Sequence, residues 1–201
     1  MSRRLLRGFF ARDPLDVAPE LVGKLFVAGS RSGTIVEVEA YRGTDDPASH
    51  GYRGVTPRTE VMYGPPGRLY VYFSYGMHWC ANVVCGPAGT CGAVLIRALA
   101  PVTGIDDMFV ARPRARRERD LCSGPAKLCQ ALGIDARHNG IDVTRAELGV
   151  ELRDTGAIEA RSATSIRIGL SRGRGDDLPW RFYRAGDPNL SAPPRGAGAR
   201  A

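Results

Sequence analysis

Glu37, Glu39 and Tyr41 alternate along Ile35-Val-Glu-Val-Glu-Ala-Tyr41, and Asp45, Asp46 and His50 follow shortly after. Val, Ile and Tyr in this alternation read as a β-strand. Period-two geometry sends Val36, Val38 and Ala40 to one face, and Glu37, Glu39 and Tyr41 to the other. A carboxylate so placed can accept a proton from water and stabilise developing positive charge. Leaving water costs a charged group on the order of several kcal/mol unless it is paired or employed. Alone, the segment fits a solvated sheet face with a surface Tyr as well as it fits a reactive site.

The elements that must position these residues follow from local signals. Asp16 is expected to cap a short helix with Pro19 in its first turn, running through Leu21, Val22 and Leu25. After the Ile35–Tyr41 strand, residues 42–67 form a long connection rich in Gly, Pro and Asp. Connections of that length in a compact domain are usually functional or disordered. Leu69–Tyr75 and Met77–Cys85 read as a hairpin around Gly76, with Tyr75 at its tip. Alternation places Tyr70, Tyr72 and Ser74 on one face, and groups Asn82 with His78 and Cys80 on the return strand. A further strand, Ala93–Leu99, carries Arg97 amid apolar neighbours.

Ile105–Val110 begins a helical stretch that runs into the basic run Arg112–Arg119, a solvated loop or a phosphate contact. Ser123 is expected to cap a helix that ends before Gly133, and the amides of its N-terminus could take a phosphate. Gly140–Leu152 and Ser162–Leu170 read as short strands. The segment 188–201, with Pro193, Pro194 and several Gly, is expected to be a disordered tail behind a single domain spanning 1–187.

Composition narrows the partners. The 201 residues carry 28 Lys plus Arg against 21 acids, a formal charge of +7, and only Lys24 and Lys127 are lysines. Arginine is the better residue for bidentate phosphate contact and for stacking on bases, although genomic base composition would also enrich it. Either way the field favours a polyanion. Five cysteines, Cys80, Cys85, Cys91, Cys122 and Cys129, match no zinc spacing and suggest a reducing cytosol rather than a metal site. No run approaches the ~18 apolar residues of a membrane span. The expectation is a cytoplasmic protein, nucleoid-associated if bacterial.

Several ordered motifs together resemble the 3-methyladenine (alkyladenine) DNA glycosylases. They are Glu37-Val-Glu39-Ala-Tyr41, His50, Thr56-Pro-Arg58, Tyr63-Gly-Pro-Pro-Gly67, Leu69-Tyr-Val-Tyr72, Tyr75-Gly-Met77, Asn82, Leu95-Ile-Arg97 and Leu121-Cys-Ser-Gly-Pro125, with Arg167-Ile-Gly169 and Pro179-Trp-Arg-Phe-Tyr183 further on. The resemblance implies a single mixed α/β (α+β) domain: a curved antiparallel sheet, surrounding helices and a protruding β-hairpin. It implies a monomeric, cofactor-free enzyme that acts on double-stranded DNA and excises alkylated or deaminated purines.

By resemblance, Glu39 and Arg97 are the catalytic residues, with Glu37 outside that role. Tyr41, His50, Tyr72 and Asn82 are the matching substrate-binding residues. Tyr75 and Met77 are the matching DNA-intercalating residues. A base inside a duplex is out of reach, so it must be rotated into a pocket while a side chain fills the gap. An electron-poor purine stacks well on aromatics. The matching Asn would crowd a normal guanine's exocyclic amine. No lysine falls in these motifs, and an imine-forming lyase needs an amine, so strand cleavage is not expected. Thr59 and Tyr63 depart from the family pattern, where Asn and Phe are common. The first bears on loop hydrogen bonding and the second on the pocket rim.

Two other readings compete. A zinc base deaminase needs His-x-Glu and Pro-Cys-x-x-Cys, and neither occurs. A binding module that stacks bases on its aromatic hairpin would bind salt-sensitively and release no base.

Overall fold

The computed structural model describes residues 2–74, 76–156 and 162–193. In chain order its strands are β1 (Arg3–Arg4), β2 (Leu25–Ala28), β3 (Arg31–Tyr41), β4 (Leu69–Ser74), β5 (His78–Val84), β6 (Ala93–Thr103), β7 (Val150–Asp154), β8 (Ala163–Ser165) and β9 (Arg181–Tyr183). Its α-helices are α1 (Arg7–Phe10), α2 (Pro14–Leu21), α3 (Ile105–Ala111), α4 (Glu118–Leu121) and α5 (Pro125–Leu132). All the strand pairs are antiparallel, in the order β1-β7-β2-β3-β6-β5-β4, with β9 pairing both β3 and β8. The fold is the single mixed α/β domain with a curved antiparallel sheet that the sequence leads one to expect.

β3 is the hub. One edge pairs β6 along most of its length, while the other is shared by β2 at Arg31–Thr34 and β9 at Glu37–Glu39. Register shifts at Ile35/Glu37 and Glu37/Val38 correct the simple alternation. Val36 is the extra residue on β3, and Arg97 is the extra residue on β6 between Ala98 and Ile96. A bulge bends its strand and re-aims the side chains that follow. The main core cluster accordingly takes Ile35, Val38 and Ala40, while Val36, also fully buried, lies outside that cluster. The opposite face is no solvated surface, because Glu37 and Glu39 are both 0% exposed.

The helices close the apolar side. Asp13, not Asp16, caps α2 by accepting from the Leu15 amide, and Pro14 holds the first helical position. Pro14 supplies the preset φ of a helix start, which Pro19, lying inside the helix, does not. Val17, Ala18 and Leu21 of α2 are fully buried. α5 starts after Gly124, not at Ser123, and ends at Gly133, whose φ of 71° is the left-handed stop. Leu128, Cys129 and Ala131 of α5 join Phe10, Phe26, Ile96 and Leu99 in the main core. Full burial of each large apolar side chain contributes about 1.5–3 kcal/mol.

Other expectations shift. The strand expected within Gly140–Leu152 is confined to β7, and that within Ser162–Leu170 to β8. The basic run does not extend α3, since Pro113 follows the C-cap and Arg112 turns inward to donate to the Asp120 and Leu121 carbonyls. Arg117 pairs with Asp120, while Arg114, Arg116 and Arg119 are exposed. Of the expected tail, residues 194–201 lie outside the described residues. Residues 188–193 belong to the ordered structure, and Ser191 and Ala192 are hydrogen-bonded to buried side chains of the sheet.

Candidate active site

Glu39 accepts three hydrogen bonds or ion-pair contacts from three different segments. Its Oε1 takes the Ile168 amide at 2.7 Å and lies 3.1 Å from Nη1 of Arg97, while Oε2 takes the Tyr41 hydroxyl at 2.9 Å. Oε2 therefore has a lone pair left, since a carboxylate offers about four acceptor positions. The Tyr41 phenol is pushed well above its usual pKa by burial and then by the Glu39 charge, so it remains a neutral donor. Burial works against the Arg97 charge, but Glu39 and Glu37 more than offset it and hold the guanidinium protonated.

Arg97 reaches both acids of β3. Its Nε donates to Glu37 Oε1 at 2.8 Å. Glu37 also takes Arg181 Nε at 2.8 Å, the Ser191 amide at 2.6 Å and the Ser191 hydroxyl at 2.7 Å. Burial alone would raise the Glu37 pKa, yet Arg97 and Arg181 bring it below the ordinary value.

On the open side lies a cavity of about 540 Å³. Tyr41, His50, Tyr72, Asn82 and Arg97 line it, together with Arg58, Cys80, Leu95 and Ile168-Gly-Leu170. Glu39 itself is behind this lining, in contact with three of its members, Tyr41, Arg97 and Ile168. The sequence-derived residues thus converge on one place. The β4–β5 pairing sets the aromatic wall, with His50 and Tyr72 rings edge-on at 4.5 Å and Tyr70 stacked on Tyr72 at 5.5 Å. Tyr70 fixes the imidazole, its hydroxyl lying 3.0 Å from His50 Nδ1. Packing and then the neighbouring Arg58 push the His50 pKa down to about 4, although one side of the residue is open at the cavity. The ring is neutral at pH 7, and a neutral ring does not repel a cation.

Asn82 is anchored from its side-chain amide to the Tyr70 carbonyl at 3.2 Å. Met77 does not line the cavity; it is 68% exposed near the end of the hairpin, as is Phe73 at 47%. Tyr75 lies outside the described residues.

The sequence reading names Asp46 and the Arg167-Ile-Gly169 motif but does not join them. Arg167 grips both Asp46 oxygens, at 2.6 and 2.8 Å, with both side chains fully buried. Its guanidinium sits 4.7 Å from the Tyr41 ring and 5.0 Å from the Trp180 ring, and it donates to the Ala40 carbonyl. This clamp holds the Tyr41 ring and places the next residue, Ile168, against Glu39. The signal was present: Arg167 lies between Ile166 and Ile168, as Arg97 lies between Ile96 and Ala98.

The two family departures prove local. The Thr59 hydroxyl accepts from the Thr56 amide and closes its own turn. Tyr63 does not touch the rim; its hydroxyl donates to the Gly51 carbonyl, and it borders a separate cavity of about 440 Å³. Among the described residues no cluster of three His, Cys, Asp or Glu is placed to hold a metal ion. Nor is any helix there long and apolar enough to cross a membrane.

Residues 8–188 match the family model of the methylpurine-DNA glycosylases. The chain belongs to that family. A Burkholderia lata protein provisionally named 3-methyladenine DNA glycosylase is 53% identical over 191 residues, covering 94% of this chain and 91% of the relative. Proteins of the same provisional name follow in Rhodopseudomonas palustris, 49% identical over 193 residues (94% and 88% covered), and in Nitrobacter winogradskyi, 47% over 198 residues (98% and 92%). DNA glycosylases hydrolyse N-glycosyl bonds, and the family membership gives this chain that class of chemistry.

Proposed function

We propose that this protein is a monofunctional glycosylase that everts alkylated or deaminated purines from duplex DNA and leaves an abasic site. The observation that carries this reading is a buried carboxylate with one unfilled oxygen position behind an aromatic-lined cavity. The everted base stacks among Tyr41, His50 and Tyr72. Glu39 Oε2 faces the anomeric carbon and takes a proton from the attacking water as the water oxygen bonds to C1′. The N-glycosidic bond breaks and its electron pair leaves with the purine. Glu39 also stabilises the oxocarbenium-like charge on the sugar, with Arg97 orienting it.

3-Methyladenine and 7-methylguanine carry positive charge and depart neutral, so they need no acid. Hypoxanthine and etheno-adenine are neutral and require protonation of the leaving base. Asn82 excludes guanine by crowding its exocyclic amine. Tyr75 and Met77 fill the gap in the duplex, in keeping with the exposed apolar end of the hairpin. Neither Lys24 nor Lys127 lines the cavity, which supports hydrolysis without an imine and so without strand cleavage. The enzyme acts as a cytoplasmic monomer.

The test is a duplex with one hypoxanthine or 7-methylguanine, incubated with enzyme in chelator and then heated in alkali. A break at the lesion that appears only after alkali is the expected result. A break before alkali would mean a lyase, and salt-sensitive binding with no break in either case would mean a binding module.

A further inference from the structure

We propose that Glu37 and Ser191 form a clamp that positions Arg97, and through it Glu39, for catalysis. The inference rests on Glu39 acting as the base. Arg97 is held along three edges of its guanidinium: Nε on Glu37 at 2.8 Å, Nη2 on the Ser191 hydroxyl at 3.2 Å, and Nη1 beside Glu39 at 3.1 Å. Two of those three anchors belong to the clamp. An arginine side chain otherwise samples many rotamers, and each restrained torsion sharpens where its last donor points.

Ser191 is the joint. Its amide and hydroxyl donate to the two Glu37 oxygens at 2.6 and 2.7 Å, and the same hydroxyl accepts from Arg97. The Ala192 carbonyl accepts from Arg181 Nη2 at 2.6 Å, which ties the segment to the second guanidinium. Charges balance as well: Glu37 and Glu39 face Arg97 and Arg181, and all four residues are nearly or fully buried. Arg181 donates Nε to Glu37 at 2.8 Å and supplies its counter-charge, which leaves the Arg97 charge available to Glu39. A purely structural cluster would need none of this directionality toward the cavity wall.

The experiment uses the full chain carrying Glu37→Gln, Ser191→Ala or Ser191→Thr. Single-turnover release of 7-methylguanine from duplex DNA is measured beside the Kd for a duplex holding an abasic analogue. Glu37→Gln should slow release by about tenfold or more, and Ser191→Ala by about threefold, with Kd unchanged within about twofold. Ser191→Thr keeps the hydroxyl and should restore the rate. Wild-type rates with a lowered Tm, or losses confined to Kd, would overturn the clamp. If Glu37→Gln does not fold, the Ser191 pair decides alone. Failure of the underlying reading is distinguishable: the wild type would then release no base, or Glu39→Gln would match it.

Discussion

Glu37 and Glu39, neighbours on one face of their strand, are the same residue type at the same burial and do different work. Around Glu37 the protein is closed: two arginines and Ser191 supply four hydrogen bonds, and the C-terminal segment covers the pair. Around Glu39 it is open: one oxygen keeps an unfilled position, and the neighbouring side chains line a cavity. A carboxylate surrounded by donors is fixed and inert, whereas one with a free acceptor position can take a proton. Donor supply, rather than burial, separates them.

If that contrast holds, removing a counter-charge on the closed side should cost stability as well as the positioning of Arg97. Arg181→Ala leaves Glu37 with only Arg97 as counter-charge in a fully buried setting, and should destabilise the fold by about 3–5 kcal/mol. Thermal unfolding checks this, and an unshifted Tm would remove the distinction. On the open side the rate should move with little loss of stability. Tyr41→Phe keeps the ring but deletes the donor to Glu39 Oε2, and should slow 7-methylguanine release by about tenfold while Tm stays near the wild-type value.

The smallest effect concerns His50. Its folded pKa, about 4, lies below the unfolded value, so the unfolded chain binds the extra proton first as pH falls. Stability attributable to neutral His50 should be complete above about pH 6.5 and fade as pH falls toward about 4. His50→Asn should flatten the stability–pH curve in that window, modestly because one side of the ring is open. Denaturant midpoints across the window measure it, and an unchanged slope would contradict the lowered His50 pKa.

Much of this site was legible in the sequence because its chemistry is dense and local. Glu37, Glu39 and Tyr41 fall on one strand, and Arg97 stands out as a charge amid apolar residues. What escaped is what depends on pairing between distant segments. The bulges that free Val36 and Arg97 arise from the β3–β6 register, which no single-strand periodicity contains. Arg167 carried the same signature as Arg97, but its partner Asp46 lies 121 positions away. Composition likewise could not show that the Ser191 amide is fixed by a carboxylate 154 positions upstream. Asp13 displaced Asp16 as a cap because Pro14, rather than Pro19, sits where a helix can begin.

Glu39→Gln gives the most direct trial of the whole account, since the amide keeps nearly the same shape but cannot act as a base. On 7-methylguanine duplex, single-turnover release should fall by about a hundredfold or more, with the Kd for lesion DNA preserved. Release at the wild-type rate, with binding intact, would contradict the assignment of Glu39.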